Sequence, residues 1–180
     1  VETQQENQVC RLVVVPADIS LDVKSEAESL ARTLLNSLQA VGVFGIELFL
    51  TADNKLLVNE IAPRTHNSGH FTIDACKTSQ FEQHLRAVCQ LPLGNCDLNC
   101  NSAVMVNLLG HESAESDYLE KRKKLAQIPG SFVHWYGKKE SRPGRKLGHV
   151  TVLLNEEVME NRRSQAESIA QTIESIWRAT

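Results

Sequence analysis

Two β-rich runs, Val43-Phe44-Gly45-Ile46-Glu47-Leu48-Phe49-Leu50 and Leu57-Val58-Asn59-Glu60-Ile61, flank the polar stretch Thr51-Ala52-Asp53-Asn54-Lys55. Runs of this kind joined by strong turn formers close as a β-hairpin. Centring the turn on Asp53-Asn54 pairs Ala52 with Lys55 and, further along the ladder, Glu47 with Glu60. Directly opposed residues carry their Cβ atoms roughly 4.5–5.5 Å apart on one face of the sheet. Two carboxylates at that distance repel unless one is protonated or a cation lies between them. A hard divalent cation with oxygen ligands satisfies both, so Glu47 and Glu60 are candidate magnesium ligands.

The chain leaves the second run through Ile61-Ala62-Pro63-Arg64-Thr65-His66-Asn67-Ser68-Gly69-His70. Arg64, His66 and Asn67 are donors suited to a small oxyanion, placed just beyond the metal pair. A cation with converging donors is the equipment of phosphoryl transfer, which must neutralise charge on several oxygens at once.

Composition narrows the class. The 180 residues are 42% hydrophobic and carry a net charge of −3, enough for one moderate core or two small ones and no reason to invoke nucleic acid or a membrane. No apolar run approaches the roughly 20 residues of a membrane span, and no signal peptide is visible. Cys10, Cys76, Cys89, Cys96 and Cys100 are odd in number without a paired CxxC spacing. Reduced thiols in a cytoplasmic protein are therefore expected, in preference to a metal on Cys96 and Cys100.

The coarse pattern is α plus β. Gln8 to Val15 reads as a strand. Ser20 is placed to cap a helix running to about Ala40, whose stripe of Val23, Ala27, Leu30, Ala31, Leu34, Leu35 and Leu38 is expected to be core. After the hairpin and polar loop, a helix runs through Phe81, Leu85 and Val88. Leu91 to Ser102 holds the best domain boundary, dividing the chain into 1–95 and 96–180. Beyond it come a strand from Ala103 to Leu109 and a charged helix from Asp117 to about Gln127. Ser131 to Gly137 and Leu147 to Leu154 make a second hairpin, and an amphipathic helix from Arg162 to Arg178 turns Ala166, Ile169, Ala170, Ile173, Ile176 and Trp177 inward. The turn of that second hairpin crowds Lys138, Lys139, Arg142, Arg145 and Lys146 against one acid, Glu140. Pro143-Gly144 bends it tightly, so backbone N–H groups and cationic side chains can converge on an anion such as a ribose 5-phosphate.

Four stretches then carry a resemblance: Gly42 to Phe49, Asn59-Glu60-Ile61-Ala62-Pro63-Arg64 with His66-Asn67-Ser68-Gly69-His70, Thr78-Ser79-Gln80-Phe81-Glu82-Gln83-His84, and Tyr136-Gly137-Lys138 with Arg142-Pro143-Gly144-Arg145-Lys146-Leu147-Gly148-His149. Together they resemble the N5-carboxyaminoimidazole ribonucleotide synthase (PurK) family of the ATP-grasp superfamily. The resemblance implies an α+β fold, with the second half of an ATP-grasp domain followed by a small β-rich C-terminal domain that ends in a helix. It implies ATP, bicarbonate and 5-aminoimidazole ribonucleotide as substrates, with Mg2+, or Mn2+, on Glu47 and Glu60. Phe49 would pack under adenine, while Arg64, His66 and Asn67 would hold bicarbonate and the substrate's base. Lys138 and Arg145 would clamp the ribonucleotide phosphate. Asn59, on the opposite face by alternation, would support rather than ligate, and His149 would be structural. Family members are about twice this length and dimeric, and no glycine-rich phosphate loop or adenine hinge is found here, so the chain alone is expected to be inactive. Thr65 stands where relatives more often have Pro or Val.

Two other classes compete. His66 and His70 share the i, i+4 spacing of helical zinc ligands, but Asn67-Ser68-Gly69 is poor helix and the Glu of a metallohydrolase is absent. The other is an interaction module that keeps the fold and only docks to a partner.

Overall fold

The computed structural model describes residues 1–154 and 162–179. A five-stranded antiparallel sheet organises them, in the order β1 (Glu2–Glu6), β2 (Val9–Val15), β5 (Ser102–Leu109), β9 (Lys146–Leu154), β7 (Ser131–Trp135). Asn7 and Gln8 both have positive φ and join β1 to β2, the backbone twist that two-residue hairpins favour. The sequence reading had no β1: Glu-Thr-Gln-Gln-Glu lacks strand propensity and is strand only because β2 pairs with it. The sheet joins β2 to β5 across residues 95 and 96, where the sequence places a boundary.

Alternation sorts the strands onto two faces. Leu12, Val14, Val104, Val106, Leu108, Val150 and Val152 point to one side, where α4 (Leu119–Leu125) and α5 (Arg162–Arg178) cover them with Leu125, Ala166, Ala170, Ile173 and Trp177. The inward set expected for the terminal helix is the set found there, with Ile169 and Ile176 partly buried at its margin. Val13, Val15, Ala103 and Met105 point the other way, against Phe71 and Ala75. The β1–β2 ladder shifts beside Arg11, so Cys10 packs with Val13 and Val15. Arg11 reaches Glu167 and Glu174 of α5 from the same irregularity.

Next to the large sheet stands the expected hairpin, β3 (Gly45–Leu50) with β4 (Leu56–Ala62), backed by α1 (Leu21–Ser37). Ser20 caps α1, its hydroxyl accepting the Val23 N–H. The α1 stripe is less buried than expected. Val23 alone is fully covered, the others are half-buried and Leu38 is exposed, because a two-stranded sheet is too narrow to cover a helix face. After the loop come α2 (Thr72–Ala75) and α3 (Gln80–Val88). On α3 the pattern is reversed: Phe81, Leu85 and Val88 are exposed, while Gln80 and Gln83 are buried. The basic turn contains β8 (Glu140–Ser141), which pairs with β6 (Ala114–Glu115) and ties the turn to the segment after β5.

Candidate active site

Glu47 and Glu60 are cross-strand partners. The route to that pairing differs from the expected one. Thr51, not Ala52, faces Lys55, closing a three-residue loop with Asn54 in the left-handed region. That register holds through Leu48 and Val58 and then shifts by one residue, leaving Asn59 as a bulge before Glu47 meets Glu60. A bulge turns its extra residue out of strict alternation. Asn59 consequently lies on the glutamate face, its amide donating to Glu47 Oε2 at 3.1 Å, which corrects the expectation that it points away.

Glu47 is half-buried, and Nε2 of His66 lies 3.6 Å from its Oε1. Glu60 is exposed and makes no hydrogen bond or ion pair among the described residues. Two opposed carboxylates, one of them unpartnered, are the hard oxygen donors that Mg2+ takes. Glu47, Phe49 and Asn59 also line a cleft of about 710 Å³, whose apolar wall includes Val23 and Ala27 of α1 and Ile46 of β3.

Gly45 shows how closely the loop crosses the hairpin: a Cβ there would lie 2.6 Å from Cβ of His66. The His66 ring is further held by Ser68 Oγ on Nδ1 at 2.8 Å. Asn67 and Asn107 exchange two amide hydrogen bonds of 2.9 and 2.8 Å, and Asn107 also donates to the Cys10 carbonyl. Among the described residues the Arg64 guanidinium bonds the neighbouring Thr65 carbonyl alone, which leaves most of its donors available.

The loop rests on a polar row across the sheet. Asn107, His149 and His134 are paired neighbours on β5, β9 and β7. Asn67 bonds the first, the His70 ring lies 5.4 Å from the second, and Asp74 bonds the third at 2.8 Å. His134 and His149 are stacked at 4.5 Å, and Tyr136 OH meets Nδ1 of His149 at 2.8 Å. Burial first, then His134 and His70, lower His149 to about 3. Burial first, then Lys146, His66 and His134, lower His70 to about 4. Both are neutral at physiological pH. Burial also pushes Tyr136 up to about 12. Apart from a structural role for His149, the sequence pattern does not announce this row.

His66 and His70 do not share a ligand set: one faces Glu47 and Ser68, the other Gln80, Phe81 and His149. The group of potential ligands among the described residues is Asp74, His134 and His149. Parallel stacked rings aim their lone pairs alongside one another, which suits packing better than shared coordination. All five cysteines are free thiols.

The basic turn docks on Gly110, whose N–H donates to the Arg145 carbonyl and whose carbonyl accepts from Gly144 N–H. Lys138 Nζ donates to the Lys146 carbonyl at 2.6 Å and lies 5.8 Å from the Tyr136 ring centre. Arg145 bonds the Glu140 carbonyl, with the Glu140 carboxylate 3.7 Å away. Burial, and then Arg145 and Lys146, hold the Lys138 ammonium below its ordinary value. An anion bound beside Lys138, Arg145 and Lys146 would relieve that repulsion. Cys10 lies within electrostatic reach of both this turn and the hairpin: burial raises its thiol, Lys146 lowers it and Glu47 raises it. One half-buried side chain therefore feels both Lys146 of the basic turn and Glu47 of the hairpin.

A hairpin with opposed carboxylates, a donor-rich loop and a nucleotide-sized cleft define an ATP-grasp protein. The family models agree, with the ATP-grasp domain matching residues 1–81 and the phosphoribosylaminoimidazole carboxylase C-terminal domain matching residues 103–163. The chain belongs to the N5-carboxyaminoimidazole ribonucleotide synthase family. It is 53% identical over 177 residues to the synthase of Synechococcus elongatus, covering 98% of this chain and 45% of that protein. It is 47% identical over 158 residues to the phosphoribosylaminoimidazole carboxylase of Schizosaccharomyces pombe, covering 84% of this chain and 28% of the relative. The Aspergillus clavatus synthase, solved with ADP and 5-aminoimidazole ribonucleotide, superposes with a TM-score of 0.84 at 34% identity, over 96% of this chain and 46% of that one. The Thermotoga maritima synthetase gives 0.78 at 43% identity, over 93% and 47%. The chain thus spans about half the length of the synthases it matches.

Proposed function

We propose that this chain is the carboxyl-terminal portion of an ATP-dependent carboxylating ligase. The reaction converts ATP, bicarbonate and 5-aminoimidazole ribonucleotide into N5-carboxyaminoimidazole ribonucleotide, ADP and phosphate. One observation supports the reading: Glu47 of the opposed pair and Lys146 of the basic turn both act on Cys10, and Lys146 and His66 both act on His70, although they come from separated parts of the sequence. The Aspergillus clavatus complex with ADP and the ribonucleotide supports it.

Glu47 and Glu60 would hold Mg2+, or Mn2+, which when bound neutralises charge on the ATP phosphate oxygens. Phe49 offers an aromatic face to the base in the cleft. Arg64 and His66 present donors to bicarbonate as its oxygen takes the γ-phosphoryl group and the bond to ADP breaks. The ribonucleotide's amine then takes up the carboxyl carbon, either directly or as carbon dioxide released beside it, phosphate leaves with the C–O bond electrons, and the amine loses a proton. Asn67, fixed by Asn107, orients the base, and Lys138 and Arg145 hold the 5-phosphate. The whole enzyme would be a cytoplasmic homodimer.

The test is ADP release that depends on both bicarbonate and 5-aminoimidazole ribonucleotide. It compares this chain with a version extended upstream by roughly one domain. Activity in the extended form alone is expected. A folded extended form with no activity would overturn the ligase reading and leave a docking module.

A further inference from the structure

We infer that Gln80 is a positioning residue for His66, acting through the backbone of the loop and touching no substrate. The inference rests on the role given to His66 above.

Gln80 opens α3 on a buried face that amphipathic patterning would assign to apolar residues. Its Oε1 accepts the His66 N–H at 2.9 Å, and its Nε2 donates to the His66 carbonyl at 2.8 Å. The same Nε2 lies 2.8 Å from Nδ1 of His70. A carboxamide nitrogen has two hydrogens, and both are used. The amide cannot be reversed, because the NH2 would then face the His66 N–H. The arrangement also requires His70 Nδ1 to accept, which assigns the ring hydrogen to Nε2.

Gln80 is itself fixed. Its N–H donates to Thr72 Oγ1 at 2.9 Å, and that hydroxyl donates to the Gly69 carbonyl at 2.6 Å. A Cβ on Gly69 would come within 2.6 Å of Gln80 Oε1, so the loop passes the amide where only glycine fits. With the peptide groups on both sides of His66 pinned, its ring is confined between Ser68 and Glu47.

The molecule supplies its own control. Three residues on, Gln83 grips Gly94 in the same manner: Nε2 donates to the Gly94 carbonyl at 2.6 Å and Oε1 accepts its N–H at 3.0 Å. Gln83 holds a connecting segment that carries none of the candidate site residues. The same side-chain device thus serves the site loop once and plain structure once.

The experiment compares Gln80→Met, Gln80→Glu and Gln83→Met in the extended enzyme, with amide hydrogen exchange at His66 followed in the 180-residue chain. Gln80→Met is expected to lower kcat about 100-fold with KM for ATP within about threefold of wild type, whereas Gln83→Met stays within about twofold on kcat. Gln80→Glu keeps the acceptor for the His66 N–H and loses the donors, so a fall of about tenfold is expected. It also serves where Gln80→Met does not fold. The His66 amide should lose protection in Gln80→Met and keep it in Gln83→Met. Equal kcat in the two Met variants would overturn the inference, as would a His66 amide protected alike in Gln80→Met and wild type. If the wild-type extended enzyme shows no turnover, the ligase reading fails, and the exchange comparison still decides whether Gln80 holds His66.

Discussion

In the β3–β4 hairpin, the candidate metal ligands stand at the solvent boundary, and Glu60 has no partner among the described residues. In the loop and short helix that follow, the polar groups other than Arg64 are mostly used: His66 by Gln80 and Ser68, Asn67 by Asn107, Asp74 by His134. The hairpin is an open set of charges that something else must complete. The loop is a finished piece of architecture, held before any ligand arrives. Preorganised donors need no rearrangement as charge develops, and that is where electrostatic catalysis gains most. An unpartnered carboxylate gains most from binding a cation. Changes in the hairpin should therefore affect activity with little effect on folding, and changes beneath the loop should affect folding first.

The sharpest way to break this contrast is Glu60→Gln in the extended enzyme. Turnover should fall by about 10³-fold or more, while the urea midpoint of the chain stays put, since an exposed, unpaired carboxylate contributes little to folding. An active variant would remove the metal assignment.

The second test lies under the loop. His149 and His70 are held at about 3 and about 4 against an ordinary 6.5. Between those values the unfolded chain binds protons that the folded one refuses. Their contributions are therefore complete above about pH 6.5 and are lost as pH falls, by on the order of 3 kcal/mol for each near pH 4. Denaturation of wild type and His149→Phe at several pH values isolates the effect from that of the carboxylates. Parallel profiles would show that the histidine row does not carry it.

The smallest expected effect is at the joint between the two regions. Gly45→Ala pushes a methyl into His66, and overpacking of this kind costs about 1–2 kcal/mol, with about a tenfold fall in kcat where the ring is displaced. A loss of stability with no change in kcat would separate the hairpin from the loop functionally.

What was legible in the sequence followed local chemistry. Turn formers between β-rich runs, a serine cap, the stripe of the terminal helix and the basic turn each show in a few adjacent residues, and the long family motifs raised them to a site. The Glu47–Glu60 pairing was right although the turn was placed differently, because the bulge at Asn59 compensates the three-residue loop. Alternation alone cannot announce a bulge, so Asn59 was put on the wrong face. Gln80 and Gln83 were hidden for another reason: periodicity assigns the inner face of a helix to apolar side chains, and here amides occupy it. Asn107, His134 and His149 come together only once β5, β9 and β7 are in register. No window of sequence contains that row. A polar residue within an otherwise apolar strand, as Asn107 is in Ser-Ala-Val-Met-Val-Asn-Leu-Leu, was the one available signal.

That row sets an order of events during synthesis. The loop bearing His66 leaves the ribosome long before the strands it rests on, and His149 follows His70 by about 80 residues, roughly 4–16 s at common elongation rates. Asn67 can reach Asn107 once β5 has paired with β2, but until β9 has threaded between β5 and β7, His70 and Asp74 have no floor to sit on. Contacts this distant in sequence close late because the entropy of the intervening loop must be spent first. The nascent chain thus carries a partly fixed loop for seconds, and the floor beneath His70 and Asp74 is complete only when its last sheet strand arrives.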